Sequence, residues 1–302
     1  MKKPQPNTIE NLIFRMPQAM LCKEIKPEDL ENYTKSNEWV AEQKLDGDRS
    51  LLVVNGDDVA LFNRSQDSIT YRYPEITEAI KTLGHESIIL DGEMVVFVNG
   101  KDEFNEGISY RRGLKSESKI KARMITHPVT FMVFDILYLD GDQLVEKTLN
   151  ERRAILAEIF ETQKFNNRIR LVSQSTDLLT AWNNAKQKKH EGIIIKKISS
   201  QYYYGRSGNW LKVKFNKDAV LVFDGYEINP AGIKLIKTKT DPRDEIAVNL
   251  SKKPLHVQCA GYNAPPVKEQ LDIAGEASVK VQYLSITKDN RLRMPSFKEL
   301  IS

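Results

Sequence analysis

The chain has 302 residues, 40% of them hydrophobic, enough apolar material to fill one large core or two smaller ones. Its formal charge of +4 allows a local basic face but is too small to name a partner. Cys22 and Cys259 lie far apart with no companions at metal-ligand spacing, the polar start of the chain has no signal-peptide core, and no stretch reaches the length of a membrane span. A zinc site is therefore not expected, and reduced thiols in a cytoplasmic protein are.

Strands dominate from Leu51 onward. Leu51 to Val54 and Val59 to Phe62 flank an Asn55-Gly56 turn and predict a hairpin. Pro74 to Leu83 has helical apolar spacing behind a leading proline. Ser87 to Val98 and Val129 to Leu139 predict longer strands, closed by Asn99-Gly100 and Asp140-Gly141, with residues 115–123 as a polar surface loop. Helices are expected over Leu149 to Phe160 and Leu178 to Lys189. Strands follow at Gly192 to Ile198 and Trp210 to Phe215, separated by the aromatic segment Gln201 to Asn209. The boundary is placed near 215–219. Beyond it lie short β segments: Val220 to Ile228, Ile233 to Thr238, Ile246 to Leu250, His256 to Ala260 and Ser278 to Ile286, with no convincing long helix. This pattern predicts an α+β chain whose last part, 216–302, is a small all-β barrel of the OB-fold type.

Chemistry enters at Glu42-Gln-Lys44-Leu-Asp46-Gly47-Asp-Arg49. A lysine with an ordinary pKa near ~10.4 is protonated at neutral pH, so covalent use of Lys44 requires desolvation or nearby positive charge. The pattern alone equally describes a strand ending in a solvated Asp-Gly turn. Five further patches follow in order. Asn63-Arg64 closes the hairpin, and Asp91-Gly92-Glu93 sets two carboxylates in an apolar run, as a turn or as a metal or ribose site. Phe134 lies in a core-like run where its ring could meet a purine. Glu191 and Lys196 bracket Gly192 and three isoleucines, an acid at the start of a buried strand and a lysine at its end, and Trp210-Leu-Lys212-Val-Lys214 alternates. Lys212 and Lys214 therefore share one face, which suits either a bound polyanion or a protected edge strand.

Together these six motifs, with Tyr138-Leu-Asp-Gly141, Glu151-Arg-Arg153 and Tyr204-Gly-Arg206-Ser207, resemble the ordered motifs of ATP-dependent DNA ligases. The resemblance covers most of the chain and is most similar to minimal ligases of the viral or bacterial kind. It implies a nucleotidyltransferase domain of antiparallel sheets with flanking helices over 1–215, joined to the OB-fold domain. It further implies nick sealing through a lysyl-AMP on Lys44, with AMP passed to the 5′-phosphate and displaced by the 3′-hydroxyl. By the same resemblance Glu42 recognises the adenine amino group, Arg49 and Arg64 contact ribose or the nick phosphate, and Phe134 stacks on adenine. Glu93 and Glu191 serve ribose and a metal, Mg²⁺ or Mn²⁺. Lys196, Lys212 and Lys214 neutralise phosphate and help deprotonate Lys44, whereas Asp46 opposes that shift.

The implied partners are ATP and nicked duplex DNA, met by a monomer with no membrane association. An RNA ligase or a capping-type guanylyltransferase is the alternative, since both use the same lysine chemistry. The family's closing Arg-x-Asp-Lys is not found before Ser302. The basic residues Arg291, Arg293 and Lys298 are the expected substitutes for neutralising pyrophosphate.

Overall fold

The computed structural model describes residues 18–81, 84–163 and 166–301. The polar first residues and Leu83, the expected end of the first helix, lie outside them. The chain forms two compact units, Met1–Lys214 and Phe215–Ser302.

The first unit contains β1 (Met20–Glu24), β2 (Trp39–Gln43), β3 (Asp48–Asn55), β4 (Asp58–Asn63), α1 (Pro74–Ile80), β5 (Ser87–Val98), α2 (Glu117–Thr126), β6 (Val129–Leu139), α3 (Leu149–Thr162), α4 (Leu178–Gln187), β7 (Gly192–Lys197) and β8 (Gly205–Lys214). One sheet has the order β4-β3-β5-β6 and is antiparallel along that path. Its first hairpin turns at Gly56, whose φ of +58° is the left-handed conformation a side chain disfavours. The other sheet has the order β1-β8-β7-β2, with Gln174–Ser175 at its far edge. Its β1 runs parallel to β8, and the remaining pairs are antiparallel.

The long apolar runs of β5 and β6 are explained by burial on both faces, which removes the polar alternation of a half-exposed strand. One face, with Leu90, Met94 and Phe131, packs on Ile76 and Ile80 of α1 and Leu156 and Ile159 of α3. The other, with Leu51, Ile89, Phe134 and Leu137, meets Met20 and Trp210 of the second sheet and Tyr202 of the segment before β8. Each such large side chain contributes roughly 1.5–3 kcal/mol on burial. Helix α3 starts with a reciprocal capping box between Thr148 and Glu151 and carries Arg152 inward. That guanidinium meets Asp135 of β6 through Nε–Oδ1 at 2.7 Å and Nη2–Oδ2 at 2.8 Å, with both side chains fully buried.

Two readings of this unit change. Asp91-Gly92-Glu93 is not a turn but the middle of β5, with an irregular register to β6 at Asp91/Gly92. Residues 115–123 are not a loop: most belong to α2, where Ile120 alone is buried, so an apolar stripe is barely visible in the sequence.

The second unit contains β9 (Lys217–Phe223), β10 (Gly225–Asn229), β11 (Gly232–Lys237), β12 (Leu255–Cys259), α5 (Ala264–Ala274), β13 (Ala277–Tyr283) and β14 (Ser296–Leu300). Two three-stranded sheets, β9-β13-β14 and β10-β11-β12, close on one core around Leu221, Leu235, Val257 and Val279. The predicted strand Val220 to Ile228 is broken at Asp224, whose carboxylate takes the Thr238 N–H and hydroxyl. Ile246 to Leu250 joins no sheet: Val248 is buried, but the backbone bond of Asn249 goes to Asn290. Helix α5 was hidden by Pro265-Pro266, which read as breakers yet occupy the first turn, where their missing N–H groups cost nothing. Gly275, at φ +72°, ends it. Arg291 donates to the carbonyls of Asn249 (2.7 Å), Lys253 (3.0 Å) and Pro254 (3.1 Å), so its guanidinium pins the 249–254 loop.

Candidate active site

The register of the second sheet gathers motifs that are far apart in sequence. Glu42 lies opposite Ile194, and Ile194 opposite Lys212; Lys196 faces Trp210, and Gly192 faces Lys214. Directly opposed residues and residues two apart point to the same side of a sheet. Glu42, Lys196, Lys212 and Lys214 therefore share one face, while Ala41, Ile193, Ile195, Leu211 and Val213 fill the other, on which α4 packs. Lys44 follows β2 directly, its N–H donating to the Gly192 carbonyl at 3.0 Å. Two glycines permit this approach. A Cβ on Gly192 would stand 2.0 Å from the Val213 carbonyl oxygen, and one on Gly47 would stand 2.3 Å from that of Met94.

Lys44 Nζ lies 2.8 Å from Glu191 Oε1. Burial pushes the amine's pKa down, but Glu191, then Glu93 and Asp46, outweigh it, and the value is raised above an ordinary lysine. The upward pull expected of Asp46 is thus joined by those of Glu191 and Glu93. Glu93, across from Arg49 in the β3–β5 pairing, is pushed up to about 8 by burial, only partly opposed by Lys44 and Arg49. A carboxyl so reluctant to ionise gains most from a further cation. Glu93 and Glu191 both act on Lys44, and no group of three or more metal-binding side chains occurs among the described residues.

The two phosphate-type lysines meet a residue that sequence reasoning did not single out. Glu24 Oε2 lies 3.2 Å from Lys212 Nζ and 2.9 Å from Lys214 Nζ, because β1 pairs Glu24 beside Lys212. Burial would raise this carboxyl, but the two lysines hold it below its usual value.

The nucleoside end is more enclosed. Lys196 is 1% exposed, with Nζ 2.7 Å from Glu42 Oε2 and 4.4 and 4.1 Å from the ring centroids of Phe134 and Trp210. Glu42 also accepts from Gln174 Nε2 at 2.8 Å. The Phe134 face offered to a purine therefore already carries an ammonium. Arg49 turns into a buried network: Nε and Nη2 engage both Asp91 oxygens at 3.0 and 2.5 Å, and Nη1 donates to the Met20 carbonyl at 2.6 Å. Tyr202 Oη donates to Asp91 at 2.7 Å and lies 3.2 Å from Arg49 Nη2. The sequence offered Asp91 only as one of a pair of carboxylates and did not single out Tyr202, and it held no sign that both meet Arg49. Arg64 stands apart, exposed in the turn after β4, where the Asn63 carboxamide oxygen accepts the N–H groups of Ser65 and Asp67.

Half-buried Lys44, paired with Glu191, thus stands at one end of a row of cations on one sheet face. The family model described as ATP dependent DNA ligase domain matches residues 19–214, and the chain belongs to that family. DNA ligase 1 of Methanosarcina barkeri is 36% identical over 208 residues, which are 65% of this chain and 38% of that protein. DNA ligase of Nitrosopumilus maritimus is 33% identical over 209 residues, 67% of this chain and 35% of that protein. The matched part thus spans little more than a third of these relatives. In fold, the chain is similar to mycobacterial DNA ligase D complexed with ATP and MES (TM-score 0.56, 23% identity, covering 94% of this chain and 95% of that one). It is also similar to a Lig E DNA ligase described as binding DNA with a minimal scaffold (TM-score 0.65, 16% identity, covering 95% and 100%). The fold is that of a ligase nucleotidyltransferase domain followed by an OB-fold domain.

Proposed function

We propose that this protein seals nicks in duplex DNA at the expense of ATP, with Lys44 as the nucleophile, acting as a cytoplasmic monomer. The observation that carries the reading is Lys44 set against Glu191 at one end of the sheet face that holds Lys196, Lys212 and Lys214. The Lys44 amine, once free of its proton, attacks the α-phosphorus of ATP; the N–P bond forms as the bond to pyrophosphate breaks. The AMP then moves to the 5′-phosphate at the nick, freeing the lysine. Finally the 3′-hydroxyl attacks that phosphate, AMP leaves, and the phosphodiester is made. Each step is an in-line displacement, so the protein contributes position and charge.

In this reading the unit 1–214 is the adenylation domain and the unit 215–302 the OB-fold domain, and Lys212 and Lys214 hold the α-phosphate. Lys196 and Glu42 must part from their present arrangement for adenine to reach Phe134, with Glu42 then free to accept from its amino group. Trp210 Nε1, a buried donor without an acceptor among the described residues, gives this pocket a reason to welcome one. Arg49 supports the pocket wall through Asp91, and Arg64, exposed in the turn after β4, would contact the nick phosphate. Glu93 and Glu191 would hold Mg²⁺ or Mn²⁺, which supplies charge neutralisation on the phosphates when bound.

The test is label transfer from α-labelled ATP or GTP, followed by nicked DNA, nicked RNA–DNA hybrid and RNA as acceptors. ATP labelling and DNA sealing are expected; retention of GMP would favour a capping-type enzyme. Lys44→Arg should abolish labelling, because a guanidinium keeps its proton.

A further inference from the structure

We propose that Asp102 is a positioning residue for the Lys44–Glu191 pair. The role rests on Lys44 being the nucleophile. Asp102 sits on the short strand Lys101–Asp102 that folds back on the end of β5, and it is 1% exposed. Its Oδ2 accepts the backbone N–H of Asp46 at 2.7 Å. Its Oδ1 accepts from Gln43 Nε2 at 2.7 Å and lies 3.1 Å from His190 Nδ1, which is itself 2.9 Å from Gln43 Nε2. Gln43 and Asp46 bracket Lys44, and His190 precedes Glu191. One carboxylate thus joins the chain before the nucleophile, the chain after it, and the chain that carries its ion-pair partner.

The sheet alone does not give this control. The ladder between β2 and β7 ends at Gln43 and Ile193, and the Lys44 N–H to the Gly192 carbonyl is the last rung. Lys44 to Gly47 then runs clear of any strand, with a flexible four-carbon side chain to aim. Fixing the backbone on both sides of Lys44 confines the origin of that side chain. Burying a carboxylate is costly, so an Asp here is retained only with its hydrogen bonds made. Burial would push its pKa up, yet His190 and the Asp46 N–H hold it below the usual range.

Displacing a reacting group by about 1 Å can cost on the order of 10²-fold. Asp102→Ala should therefore slow adenylylation of Lys44 by about 10- to 100-fold. Sealing of a preformed DNA-adenylate, in which Lys44 attacks nothing, should be nearly unchanged. Asp102→Asn keeps an acceptor for Asp46 and, with the Gln43 amide reversed, a partner for that side chain, so it should recover most of the rate. Both rates are measured under single-turnover conditions on the full chain, with thermal melts of each variant. Equal losses in both steps, losses that track melting temperature, or an Asn variant as slow as the Ala variant would overturn the role. If the Ala variant does not fold, Gln43→Leu, which cuts one tie, should still slow adenylylation selectively, and an unselective effect overturns the proposal. Wild-type protein that takes no label from ATP would remove Lys44 as nucleophile, and Asp102 with it. Normal wild-type labelling with an unselective Asp102 effect removes Asp102 alone.

Discussion

Lys44 and Glu191, 2.8 Å apart, form the contact that does most to raise the pKa of the lysine amine. The net electrostatic effect on the amine is upward, so it is an ammonium at neutral pH. An ammonium has no lone pair for phosphorus. Adenylylation should therefore climb with pH, approaching tenfold per unit from about pH 7 to 9, because a raised pKa leaves the amine mostly protonated across that window. Glu191→Gln removes the largest upward influence and should shift the rising limb toward acid, even where it lowers the plateau. A pH-independent single-turnover rate in the parent would show that the amine is already neutral when it attacks.

Lys212 and Lys214 share a face and a partner, and Lys212→Ala should slow adenylylation by about 10²-fold, the scale of losing one preorganised charge contact. The melting temperature should change little, since Lys212 is partly exposed. A minor kinetic effect in a folded variant would remove Lys212 from the phosphate contacts, and since β8 is paired on both sides the sequence-level alternative of a guarded edge strand does not apply.

Asp135 and Arg152 are a bidentate pair with no exposure. Removing one partner strands the other in the core, so Arg152→Ala should destabilise the first unit by about 3–5 kcal/mol. The double variant Arg152→Met with Asp135→Leu should lose much less. Trp39, Trp182 and Trp210 all lie in that unit, so tryptophan fluorescence during urea unfolding reports it selectively. A double variant no better than the single would mean that the pair fixes more than charge.

Arg291 holds three carbonyls of the 249–254 loop. Arg291→Ala should lower the melting temperature and affect adenylylation and sealing alike, in contrast to the selective loss expected of a pyrophosphate contact. A selective slowing of adenylylation with an unchanged melt would restore this arginine to the chemistry.

Much of the scaffold was legible because its signals are local. The Asn55-Gly56 turn, the runs of β5 and β6 and the alternation of Lys212 and Lys214 each need only neighbouring residues. The six motifs were legible as a series, since their order does not depend on folding. Their partners were not. Nothing in Glu191-Gly192-Ile-Ile-Ile-Lys196 says that β7 lies between β2 and β8, so neither the Lys196–Glu42 contact nor its seat against Phe134 and Trp210 was visible. Asp102 is one polar residue after a glycine turn, and its three partners come from two segments far from it in sequence, Gln43 and Asp46 around Lys44 and His190 before Glu191. Helices α2 and α5 were missed for opposite reasons: one buries too little to show a stripe, and the other begins with two prolines.

Glu24 gives the paired lysines an internal counterion. Holding a long cationic side chain still costs roughly 1.5–2 kcal/mol in rotamer freedom, and its carboxylate imposes that order on both before any phosphate arrives. If these lysines hold phosphate as proposed, an entering phosphate oxygen would take part in an ion exchange: it would inherit aligned contacts, and the displaced carboxylate, already partly in water, would be pushed outward by like charge. The swap lowers the net gain from each nucleotide bound, and it also spares the site a search for the right geometry. Small inorganic anions can enter the same exchange, so sulfate or phosphate in a buffer would compete for this seat and make ATP look weaker than it is.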